Sequence, residues 1–61
     1  MDEKIRLDIK LQMEVLVTKR AAMIAENEER KKDGLTPAHD WKQFWQVGYE
    51  LGVLLNSLRG L

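Results

Sequence analysis

Trp41, Trp45, Gly48 and Gly52 follow one another at helical spacing, with Tyr49 beside them. Indole and phenol rings set out this way can stack on a planar ligand or anchor a protein interface, because each carries a large apolar area and a polar tip. A glycine inside a helix costs about 1 kcal/mol relative to alanine, so two of them call for something that offsets the cost. Close approach of another helix would do so, as would a large side chain arriving from a partner subunit. Arg59 neighbours the same edge and offers a cation for a phosphate. Two readings follow. Trp41, Trp45, Tyr49 and Arg59 are contact residues for a partner protein, or Trp41, Gly48 and Arg59 line a pocket for a nucleotide-like molecule.

Catalysis has less to build on. No nucleophile is paired with a base, no glycine-rich loop is set to cradle a phosphate, and no carboxylates cluster in a plausible cleft. Glu26, Glu28 and Glu29 read as a solvated turn of helix. His39 is the single histidine and is expected in the first turn of a second helix, solvated or bonded to the loop. The absence of cysteine removes disulfides and thiolate metal sites together. The expectation is a protein that is not an enzyme and carries no cofactor or metal.

A chain of 61 residues is one small domain, and as a monomer it buries only about 60% of the surface its unfolded form exposes. Disulfides, metals and partner chains are the usual supplements for such a scaffold. With the first two unavailable, self-association is expected. The formal net charge is zero. The basic groups Lys19-Arg20 and Arg30-Lys31-Lys32 stand beside an acidic run rather than forming a basic stripe, which disfavours nucleic acid as a partner. No apolar run approaches the ~18 residues of a membrane span, and no basic region followed by an apolar core marks a signal peptide. These features lead us to expect a soluble cytoplasmic protein without a membrane partner.

The elements that must position the aromatic edge are two helices. Residues 4–17 alternate apolar and polar side chains, which is the pattern of a half-buried strand. A strand there would leave the following helix without a cap, or with Lys19 and Arg20 against the positive end of its dipole. A helix from Asp2 has acidic residues at its start, Lys31 and Lys32 in its last turn and Gly34 just beyond. Lys10 and Glu14, like Glu26 and Arg30, then stand four apart where they can pair. The continuous helix is the better reading. It carries Ile5, Ile9, Met13, Leu16 and Met23 on one side, and Leu7, Leu11, Val15, Ala22 and Ala25 roughly across the axis. A helix with two apolar stripes is sandwiched, one stripe by its own chain and the other by a second chain.

Thr36 as cap and Pro37 at the first helical position predict the start of the second helix, with Gly60 as its stop. Phe44, Val47, Leu51, Leu54, Leu55 and Leu58 form its core face. The predicted fold is all-α: a single domain over 1–61 with helix 2–32, loop 33–36 and helix 37–59, an antiparallel hairpin that dimerises into a four-helix bundle. Ile5, Leu7, Ile9, Leu11, Met13, Gly48 and Gly52 are the expected oligomer interface. Asn27 lies in line with the first stripe and is expected to bond the loop or the facing helix.

The stretch MIAENEERKKDGLTPAHDWKQF, residues 23–44, resembles small helical-hairpin proteins of the exo–xis early region of lambdoid phages, through Met23, Asn27, Arg30, Gly34, Ala38 and Phe44. That resemblance covers about a third of the chain. It implies an all-helical dimer made early in infection, resident in the host cytoplasm and engaged in host takeover through a host or regulatory protein; it supplies no catalytic residues. The leading expectation is thus a homo-oligomeric interaction module. An oligomer that sequesters a nucleotide-like molecule is one alternative. Another is a ribbon-helix-helix DNA binder presenting Arg6, Asp8, Lys10 and Gln12 from a paired strand, against which Asp8 and the zero net charge both count.

Overall fold

A computed structural model describes residues 2–61. It holds two helices, α1 over Asp2–Lys32 and α2 over Trp41–Arg59, and no strand among the described residues. Residues 4–12, the segment a ribbon-helix-helix protein would use as its strand, lie wholly within α1, so the ribbon of that fold is not formed. The alternation at the N-terminus is therefore written by a helix with two apolar sides. Asp2 and Glu3 occupy its first turn and Arg30, Lys31 and Lys32 its last, so charges at both ends oppose the macrodipole.

α1 ends in a Schellman turn. Gly34 takes φ of 71°, the left-handed region that favours glycine. The Leu35 amide donates to the Arg30 carbonyl at 2.9 Å and the Gly34 amide to that of Lys31 at 3.1 Å. Two carbonyls of the last turn are satisfied in this way.

α2 starts later than the sequence predicts. Asp40, not Thr36, is the N-cap: its Oδ1 accepts from the Gln43 amide at 3.0 Å, while the Asp40 amide donates to Gln43 Oε1 at 2.9 Å. This reciprocal capping box begins the helix at Trp41. Thr36 and Pro37 stay outside because their segment is bonded to α1. Arg30 Nε donates to the Thr36 carbonyl at 2.7 Å, and Asn27 holds the backbone of His39. The connection thus spans 33–40 rather than 33–36.

The helices run antiparallel. Asn27 meets His39 beside the connection, and at the other end Arg6 Nη2 donates to the Leu61 carbonyl at 3.0 Å. Ile9, Met23 and Val47 are the buried core residues. Met13, Leu16, Phe44, Leu51, Leu54 and Leu58 are half-buried. With so few buried side chains the molecule is a rod of 50 × 16 × 10 Å, and its radius of gyration of 14.7 Å exceeds the ~10.5 Å of a compact domain of this length. The chain exposes 5062 Å², about 1,000 Å² more than the ~4,100 Å² expected of a compact monomer of its mass.

Candidate functional site

Two apolar faces are left open by the packing of α1 on α2. The first is the edge of α2. Trp41 is 71% exposed, Trp45 61% and Tyr49 57%. A turn of 100° per residue explains why. Val47, Leu51 and Leu58 define the seam toward α1. Trp41 and Trp45 lie about a quarter to a third of a turn beyond it, out of reach of α1. The rings are held nonetheless. Trp45 stacks on Tyr49 with centroids 5.4 Å apart and planes 18° from parallel, and Lys42 Nζ lies 5.8 Å from the centroid of the Trp41 ring.

Gly48 and Gly52 share this edge, and among the described residues neither meets another part of the chain. A Cβ built on either glycine finds nothing within 4 Å. Close approach of α1 is therefore not what offsets the glycines in the single chain. Arg59 stands exposed near the end of the same edge.

The second open face is the outer stripe of α1. Leu7, Leu11 and Val15 are exposed, and Ile5 on the inner side is partly so. Residues expected together as an oligomer interface are thereby divided. Ile9 is buried inside the hairpin and Met13 half-buried, so both are occupied by α2. Leu7 and Leu11 face away from it.

An open groove of about 490 Å³ runs between the helices, lined by Gln12, Val15 and Leu16 from α1 and by Tyr49, Glu50, Val53 and Leu54 from α2. Trp41, Gly48 and Arg59, the lining expected for a nucleotide-like ligand, are not part of it. The groove is mainly apolar, and its one ionisable lining side chain besides Tyr49 is the Glu50 carboxylate, which repels phosphate. Val53 was not singled out from the sequence, although its position four residues after Tyr49 extends the apolar strip and could have indicated it.

The loop is fastened at the other end of the seam. Asn27 Nδ2 donates to the His39 carbonyl at 2.9 Å, and its Oδ1 accepts the His39 amide at 3.0 Å. His39 Nε2 lies 2.8 Å from Glu26 Oε2. The expected pairing of Glu26 with Arg30 is replaced, since Glu26 turns to His39 and Arg30 to the Thr36 carbonyl. His39 accordingly sits in the connection rather than in the first turn of α2, and its ring bonds Glu26 of α1 rather than the loop.

Among the described residues, no group of His, Asp and Glu side chains is arranged to hold a metal ion, and no helix is long and apolar enough to cross a membrane. What the arrangement offers is surface: two uncovered apolar faces on a hairpin fastened beside its connection. Comparison with known proteins finds no matching family model, no matching curated protein and no matching solved structure.

Proposed function

We propose that the chain is a non-enzymatic, self-associating interaction module, whose copies pair through one open apolar face and present the other to a foreign protein. The observation that carries this reading is the excess of exposed surface. About 1,000 Å² beyond a compact monomer compares with the ~800 Å² that each partner contributes to a standard protein interface. A hairpin whose buried core among the described residues is Ile9, Met23 and Val47 gains most from such burial, since hydrophobic stabilisation follows the apolar area removed from water. The simplest assembly is a dimer of hairpins forming a four-helix bundle. The resemblance to phage early-region hairpins supports a host or regulatory protein as the foreign partner.

Sedimentation velocity and native mass spectrometry of the purified chain test the reading. A defined dimer or small oligomer is the expected result. A chain that stays monomeric at every concentration reached, with the hairpin intact by circular dichroism, would remove it.

A further inference from the structure

We infer that two copies pair through the aromatic edge of α2, antiparallel about a two-fold axis, with the tryptophans of each copy seated over the glycines of the other. The inference rests on the self-associating reading above and specifies its interface. At 100° per residue, Gly48, Trp41, Gly52 and Trp45 fall within about 60° of the circumference of α2. Along the axis they are arranged symmetrically about the midpoint between Gln46 and Val47. Trp45 and Gly48 are equally far from that point on opposite sides, and so are Trp41 and Gly52. An antiparallel copy centred there sets Trp45 against Gly48 of the partner subunit and Trp41 against Gly52 of the partner subunit. Symmetry then repeats both contacts in reverse, as an isologous interface requires.

Shape and chemistry agree with the register. Each glycine leaves open space where a Cβ would stand, and each tryptophan is a large exposed ring with no partner of its own across the helix seam. Stacking on Tyr49 and the Lys42 contact already limit the indole rotamers, which lowers the entropy lost on docking. Trp41, Trp45 and Tyr49 together expose on the order of 400 Å² per copy, at the 150–250 Å² typical of such rings. That is about half of what a standard interface takes from each side. Arg59, near its end, is the only charge on this strip of α2. The strip also lies about 110° around α2 from the seam with α1, close to the right angle between the two neighbours of each helix in a square bundle.

The outer stripe of α1 is the competing face. Its small residues, Ala22 and Ala25, are strong helix formers that need no further reason to be there. Gly48 and Gly52 are the opposite: they weaken α2, and among the described residues nothing in the single hairpin uses the space they leave. Pairing by way of α2 gives them a role and leaves Leu7, Leu11 and Val15 for the foreign protein.

Gly48→Ala and Gly52→Ala provide the test, because the two possibilities predict opposite signs. If the glycines are idle, each substitution strengthens α2 and leaves association unchanged or tighter. If they receive tryptophans, each fills the notch, and overpacking weakens association roughly tenfold to a hundredfold although the helix itself is improved. Dissociation constants would be measured by sedimentation equilibrium for the native chain, both glycine variants, Trp45→Ala and Leu11→Lys. Weakening by the glycine and tryptophan variants, with Leu11→Lys associating as the native chain does, supports the interface. Association that survives Gly48→Ala and Gly52→Ala but is lost in Leu11→Lys overturns it while leaving self-association standing. A monomeric native chain would overturn both readings together.

Discussion

Asn27 holds the main chain of His39 at both its polar groups, donating to the carbonyl at 2.9 Å and accepting from the amide at 3.0 Å. One side chain on α1 thereby fixes the path of the loop into α2, twelve residues away. The amide is half-buried, so its bonds are not freely exchanged for water. Asn27→Ala removes both, and we expect a loss of about 1–3 kcal/mol in urea unfolding. Asn27→Asp should cost a comparable amount, since it keeps the acceptor but sets a carboxylate oxygen against the His39 carbonyl.

The capping box at the start of α2 makes a second prediction. Asp40→Ala removes the acceptor for the Gln43 amide and should cost about 1 kcal/mol, with fraying of the first turn of α2 visible in far-ultraviolet circular dichroism. Thr36→Ala, at the position that looks like a cap in the sequence, should leave helix content unchanged. Equal effects of the two substitutions would place the start of α2 wrongly.

Gly34 differs from Gly48 and Gly52 in the reason it is glycine. Its φ of 71° makes an alanine there strained, at about 1–2 kcal/mol, even though space around it is open. Gly34→Ala should lower the melting temperature, and Gly34→Asn should lower it less, because asparagine tolerates the left-handed region better. Thermal scans of the pair at one protein concentration check the order.

The narrow core predicts a sharp contrast between neighbouring apolar positions. Val47 is 2% exposed, and Val47→Ala should destabilise by about 2 kcal/mol, the transfer of two methyl groups with a cavity contribution limited by the thin walls. Val53→Ala, on the open flank of the same helix, should cost under about 0.5 kcal/mol in the isolated hairpin.

If copies associate, the melting temperature should rise with protein concentration, since folding and assembly are then linked by mass action. A melting temperature constant over a hundredfold dilution (about 2.7 kcal/mol of available linkage) would count against an obligate assembly.

The extent of α1 was legible because its signals agree. Acidic residues at the start, basic residues at the end and Gly34 beyond all mark the same boundaries. The start of α2 was misread because two local signals compete over a few residues. Thr36-Pro37 is a good start taken alone, but Asp40-Trp41-Lys42-Gln43 is a capping box, and the contacts that decide between them come from Arg30 and Asn27 on the other helix. The bond of Glu26 to His39 had no sequence signal, as residues thirteen apart share no local periodicity. Both stripes of α1 could be read from spacing, yet which one α2 would cover depends on the direction the loop takes, and that is set by Asn27. The aromatic edge was visible as a set of residues. The emptiness around its glycines was not, because open space is a property of the folded chain.

A rod 50 Å long and 10 Å across its thinnest direction has no second layer, and its fastenings are unevenly spread. Among the described residues, four side-chain bonds from Glu26, Asn27 and Arg30 lock loop to helix beside the connection, whereas the far end is held by the exposed bond of Arg6 to Leu61. Opening should therefore travel like a zipper from the Arg6 end toward the loop, with amide exchange fastest in the first turns of α1 and slowest around Met23 and Val47. The hairpin is hinged at one end and loose at the other, and a second copy lying along α2 would act as the clasp.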